Sequence, residues 1–243
     1  MINMIKMEFY KLRRQKIFYI ILLFVGVIAV MSSISAMSLD INLNGKTQYV
    51  EMFQDVSMLF ACAIFVAIYI GNDFNSRTIQ YQVASGHSRK DIIIAKLLGF
   101  MMAAQMIMIL YPVIGAITVT INRGWGVTVS YQEIKDIILT LIESIVLNIG
   151  TSSYFVLFAF ICRDIPKTIC LSAAFPIVFS IIKPFIAAIP IVGYFIDLMS
   201  ISQIGNIGIT SAKQLGIILL SSSVTLLLNL FVMKIVFYKA EMK

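Results

Sequence analysis

The only histidine, His87, lies in the run FNSRTIQYQVASGHSRKDIIIAKLLGF, residues 74–100, together with Arg77, Arg89, Lys90 and Lys96. One imidazole in such a run leaves no Ser-His pair inside the apolar segments and no clustered metal site, so enzyme chemistry is not expected. The cysteines Cys62, Cys162 and Cys170 fall inside or at the ends of apolar runs, without the paired spacing that metals or disulfide frameworks require; they read as small core residues. Gly45-Lys46-Thr47 imitates the end of a phosphate-binding loop, but residue 40 is Asp where its first Gly should stand and no strand precedes it. No cofactor is therefore expected on this chain. Glu143 and Lys183 are different, because they sit within apolar runs, where ionisable groups mark ion or substrate paths.

The elements that must position these groups follow from composition. Hydrophobic residues make up 60% of the chain and charged residues 13%, and the mean hydropathy is +0.94, which defines an all-α integral membrane protein. Apolar runs cover roughly 17–37, 53–71, 96–120, 136–161, 168–189 and 213–237, each near the length of a tilted membrane helix, in one transmembrane domain over residues 1–243. The net charge of +7 then reads as topology and not as nucleic-acid binding. With the first residues inside, fourteen of the nineteen basic residues are cytoplasmic, Lys239 and Lys243 among them, so both termini are expected in the cytoplasm.

The start, MINMIKMEFYKLRRQK, is like the charged region of a signal peptide, but the run behind it is long enough to span and shows no early cleavage pattern. Ile2, Ile5, Phe9 and Leu12 recur at spacings of three and four with Lys6, Arg13 and Arg14 elsewhere, which predicts an interfacial amphipathic helix. Residues 183–210 are apolar enough for a seventh span, yet contain Pro184, Pro190, Gly193, Gly205 and Gly208. That content predicts broken half-helices that dip into the outer leaflet and return. Glu143 lies seven residues from Asp136 and Lys183 seven from Pro190, so both fall about 10 Å inside the outer ends of their spans. A lone carboxylate facing lipid there costs roughly 2 to 3 kcal/mol, and a Glu143–Lys183 pair holding an outer gate is expected to relieve it.

Between the second and third spans, SRTIQYQVAS can form a short helix stopped at Gly86. Ser88 can cap the next helix, with Asp91 three residues on, and KDIIIAKLL leads into the third span. On spacing alone this is either a solvated basic loop or a rigid lever. The run GNDFNSRTIQYQVASGHSRKDIIIAKLL resembles the segment after the second helix of ABC-2 type permeases: an acid, a short Thr-hydrophobic helix, a Gly-Ser-Arg corner and a Lys entering the third helix. The matching residues are Asp73, Thr78, Ile79, Gly86, Ser88, Arg89 and Lys96; Asp73 stands where Glu is commoner, and Ser76 or Arg77 where Gly is common.

The resemblance implies a coupling element, including His87 and Asp91, that docks on a cytoplasmic ABC ATPase through Ser88, Arg89 and Asp91. It also implies two ATPase subunits that bind ATP and Mg, and a second permease chain, identical or different. Short length without a large outer domain is most similar to the bacitracin-resistance and lantibiotic-immunity permeases of Gram-positive bacteria. An exporter of a hydrophobic or amphipathic cargo such as an antimicrobial peptide is the expectation. The Phe- and Met-rich stretches MLFACAIFVAIYI and AAFPIVFSIIKPFI accord with it. An ion-coupled carrier, to which Glu143 would belong, and a non-transporting sensor or scaffold remain the rival classes.

Overall fold

Apolar runs of this length can satisfy their backbone polar groups in a bilayer as helices, and all regular structure among the described residues is helical. The computed structural model describes residues 1–128, 130–187, 189–209 and 211–238, and of residues 187, 190, 191 and 212 the backbone alone; Lys239 and Lys243 lie outside the described residues. In chain order the helices are α1 (Ile2–Arg14), α2 (Lys16–Leu39), α3 (Gly45–Gln54), α4 (Met58–Val66), α5 (Asn72–Asn75), α6 (Thr78–Ala84), α7 (Arg89–Arg123), α8 (Tyr131–Cys162), α9 (Ile165–Ala187), α10 (Pro190–Asp197) and α11 (Ala212–Tyr238). A π-helical turn, Ala67–Gly71, joins α4 to α5, and a 3-10 turn, Ser200–Asn206, follows α10. Six stretches are long and apolar enough to cross a membrane: Lys16–Leu39, Met58–Asn75, Arg89–Arg123, Tyr131–Cys162, Ile165–Ile186 and Lys213–Tyr238. This is the architecture of a multi-pass membrane protein.

The most extensive helix pair is α8 with α11, and its seam is small and polar. Ser222 Oγ donates to Val146 O at 2.6 Å, and Asn229 Nδ2 donates to Ser153 Oγ at 2.7 Å. Thr151 Oγ1 meets Ser200 Oγ at 3.3 Å, and Thr225 Oγ1 accepts from Ser200 N at 3.0 Å, which fastens the 3-10 turn to the same seam. Lipid gives apolar side chains no reason to prefer one another, so small residues and hydrogen bonds of about 0.6 kcal/mol each hold such helices together. The other long contact is α2 on α7, where Phe18, Val25, Ala29 and Ser33 are the buried stripe of α2.

One end of the bundle gathers α1, α5, α6, the start of α7 and the end of α11. There Arg163 Nη2 donates to Val236 O at 3.4 Å across the α8–α9 corner. The opposite end holds α3 and the links between helices. Asn44 caps α3 through a reciprocal pair with Thr47, and Gly45 N donates to Gly124 O at 3.1 Å. Gly45-Lys46-Thr47 is thus the first turn of a helix, packed against Gly124–Gly126.

Several expectations are corrected here. The second span begins at Met58, because α3 and the turn at Asp55 occupy the residues expected to open it. α9 runs through Pro184 to Ala187, and the break falls between α9 and α10. Cys170 is exposed on α9 and is no core residue, whereas Cys62 is buried. In α1 the buried stripe is Met4, Glu8 and Leu12, packed mainly on α7, while Ile2 and Phe9 face outward.

Candidate functional site

The end that carries α1 contains a closed set of charges. Glu8 sits between Met4 and Leu12 at helical spacing, so the face that docks α1 carries a carboxylate into the interior, 1% exposed. Lys96 Nζ, equally buried, contacts Glu8 Oε1 at 2.6 Å and pairs with Asp73. Lys11 Nζ lies 2.6 Å from both oxygens of Asp73 and donates to Tyr69 O at 3.2 Å. Tyr69 Oη donates to Glu8 Oε2 at 2.7 Å. Two ammonium groups thus meet two carboxylates, and every charge has a partner, the condition under which burial of ions is tolerable.

The backbone provides for this geometry. Tyr69 belongs to the π-helical turn, whose extra residue per turn resets the phase of the second span; such turns recur at functional sites. Gly99 leaves room for the phenol, since a Cβ there would collide with Tyr69 Oη. Burial above all, then the charge of Lys96, holds the Lys11 ammonium below the ordinary lysine value, and Asp73 acts in the other direction.

From Asp73 the chain passes directly into α6. Gly86, at φ +89°, ends this helix in a conformation that a side chain would strain. Gly86 N donates to Val83 O at 3.0 Å and His87 N to Gln82 O at 3.2 Å, the paired bonds of a Schellman stop. Ser88 Oγ then accepts from Asp91 N at 3.1 Å and opens α7. Ile79 is fully buried and Gln82 faces inward, so the short helix lies against the body; Thr78 is half-buried and its Oγ1 is 2.9 Å from Ser76 Oγ. Tyr81, His87, Ser88 and Lys90 are exposed, Tyr81 at 71%. Arg89 Nη1 donates to Phe237 O at 2.6 Å and to Tyr238 O at 3.1 Å, so it ties α7 to the end of α11.

The residues expected to form the coupling surface therefore divide in two. Asp73, Ile79 and Lys96 are turned into the chain, while His87 and Ser88 are on its surface and Asp91 is half-buried. Glu8, Lys11 in its paired role, Tyr69 and Gly99 were missed by sequence reasoning. The available signal was a single acid in an otherwise basic N-terminal helix, at position four between Met4 and Leu12.

At the opposite end, Glu143 and Lys183 do not pair. Glu143 is fully buried, and its Oε2 accepts from Gly208 N at 2.8 Å while Oε1 has no partner. Lys183 Nζ donates to Ser202 O at 2.8 Å. The broken stretch after α10 comes between them and offers each charge its own backbone partner. Close by, Lys46 Nζ pairs with Glu133 Oε2 at 2.8 Å, and both line a small cavity of about 110 Å³ that Gly208 also borders. A larger cavity of about 730 Å³ opens between α10, the 3-10 turn and α11.

No protein-family model and no curated protein matches this chain.

Proposed function

We propose that this chain is the membrane-spanning subunit of an ABC exporter in a plasma membrane, with both termini cytoplasmic. It belongs by resemblance with the ABC-2 permeases, and its cargo is a hydrophobic or amphipathic molecule such as an antimicrobial peptide. The observation that carries the reading is the α6–Gly86–α7 corner: a short helix, stopped and recapped within a few residues, hung between two spans and presenting Tyr81, His87 and Lys90 outward. Because Asp73 and Lys96 are bonded to each other, the two stems of that corner move together. A partner that pushes on α6 then displaces spans two and three as a unit, which a floppy loop could not do.

In this reading ATP and Mg are held by a separate cytoplasmic ATPase, present in two copies, and a second permease chain completes the pathway. The interfacial lie of α1 and the return of residues 183–210 within the outer leaflet belong to the same proposal. The test is co-purification with the candidate partner ATPase, co-expressed with the permease. Tyr81→Ala combined with Lys90→Glu leaves the melting temperature of the permease unchanged and lowers recovery of the ATPase by about tenfold, the equivalent of 1.4 kcal/mol. Undiminished recovery of the ATPase and of transport in that variant overturns the reading. The rival favoured by a specific observation is an ion-coupled carrier, since Glu143 keeps one buried oxygen without a partner. Cargo movement driven by a pH gradient in vesicles lacking any ATPase would decide for it.

A further inference from the structure

The large cavity is lined by both charged and apolar side chains. Asp197, at the end of α10, and Lys213, in the first turn of α11, both line it. Neither belongs to an ion pair among the described residues; Asp197 Oδ1 accepts only from Ser202 Oγ, at 3.3 Å. The positive end of the α11 dipole adds to the Lys213 charge. Gln203 anchors the wall: its Nε2 donates to Asp197 O at 2.7 Å, and its Oε1 accepts from Asn206 at 2.8 Å and Gln214 at 3.3 Å.

Further along α11 the lining includes Ile217 and Leu220, with Ser221 beside them. From Lys213 to Leu220 is seven residues, which at helical rise carries the cavity about 10 Å from the edge of the span into its apolar zone. Gly216 also lines the cavity, and a Cβ there would meet nothing within 4 Å, so a larger side chain has open space to enter. The volume of about 730 Å³ lies in the range of small-molecule sites, roughly 300–1,000 Å³. One cation and one anion that line the same cavity without pairing, together with the apolar Ile217 and Leu220, match a ligand that has both charges on its head and a hydrocarbon tail. A purely anionic or cationic head would leave one of the two side chains facing its own sign.

We infer that this cavity binds a zwitterionic amphiphile, its anionic group at Lys213, its cationic group at Asp197 and its chain along Ile217 and Leu220. This does not rest on the transport reading, because binding is measured without ATPase or cargo movement. The ligand is drawn either from the surrounding bilayer, as a zwitterionic phospholipid, or from the pool of molecules the protein handles.

The test uses the full chain, purified in an uncharged detergent and followed by native mass spectrometry with probes of matched tail: dodecylphosphocholine, dodecyl phosphate and dodecyltrimethylammonium. The zwitterionic probe forms one discrete adduct, at least ~10-fold tighter than either singly charged probe. Gly216→Leu, whose side chain enters open space, melts like the parent and loses that adduct. Lys213→Glu moves the preference to the cationic probe. A phospholipid that arrives with the parent protein, and is missing from Gly216→Leu, assigns the source to the bilayer; a parent that arrives empty and takes up the added probe assigns it to a handled amphiphile. Equal affinity for all three heads, or parent-like binding by a folded Gly216→Leu, overturns the assignment.

Discussion

Lys96 is the residue on which the charge cluster turns, because it alone touches both carboxylates, Glu8 and Asp73. Lys96→Met leaves Glu8 buried with no ammonium partner while Asp73 keeps Lys11, and a loss of about 3–5 kcal/mol is expected, read as a drop in melting temperature. Lys11 is a third exposed and costs less to remove. Its pH dependence has a definite sign. The folded protein holds Lys11 below 10.5, so between the lowered value and 10.5 the unfolded chain binds more protons, and this group's contribution to stability rises with pH. Melting curves taken across that interval should lose the slope in Lys11→Met. At the other end, Glu143→Gln keeps an acceptor for Gly208 N and removes a buried charge, so its stability should equal or exceed the parent's. Glu143→Leu strands that N–H and should cost about 1–3 kcal/mol. Equal losses in the two Glu143 variants would contradict this account of the site.

At the scale of elements, hydropathy located the six spans, since a membrane helix is specified by a long run of apolar residues and little else. The α6 stop and the Ser88 cap were legible for the same reason: Gly86 and Ser88 act on the backbone within their own turn. What stayed illegible depends on partners distant in sequence. The docking of α1 needs Tyr69 and Lys96, and the separate fates of Glu143 and Lys183 need the segment that folds between them. The phase shift of the π-helical turn has no local pattern at all. Gly99→Ala tests the docking of α1 as an element: its methyl displaces the Tyr69 phenol from Glu8. Trypsin should then cut after Lys11, Arg13 or Arg14 much faster than in the parent, while the six spans stay intact.

The whole molecule leaves some of its spans thinly covered. Only 11% of the apolar window of Ile165–Ile186 and 22% of that of Lys16–Leu39 are buried within the chain, against 67% for Tyr131–Cys162. Lipid can cover such faces, and so can the second permease that the export reading requires. Native mass spectrometry of the detergent-solubilised complex should therefore find the 27.2 kDa chain, or this chain with a permease relative, in pairs beside two ATPase subunits. A complex containing one permease chain would count against that reading.

The charge cluster also imposes an order on synthesis. Glu8 and Lys11 leave the ribosome long before Asp73, and longer still before Lys96. At translation speeds of about 5–20 residues per second, Glu8 waits roughly 4–18 s for its ammonium partner. Throughout that interval the nascent N-terminal helix cannot close its contacts, and the growing chain holds an acid with no place to bury it. Synthesis of the start of the third span, which carries Lys96, is thus the moment at which α1 can lock, so a chain arrested before Lys96 keeps α1 undocked.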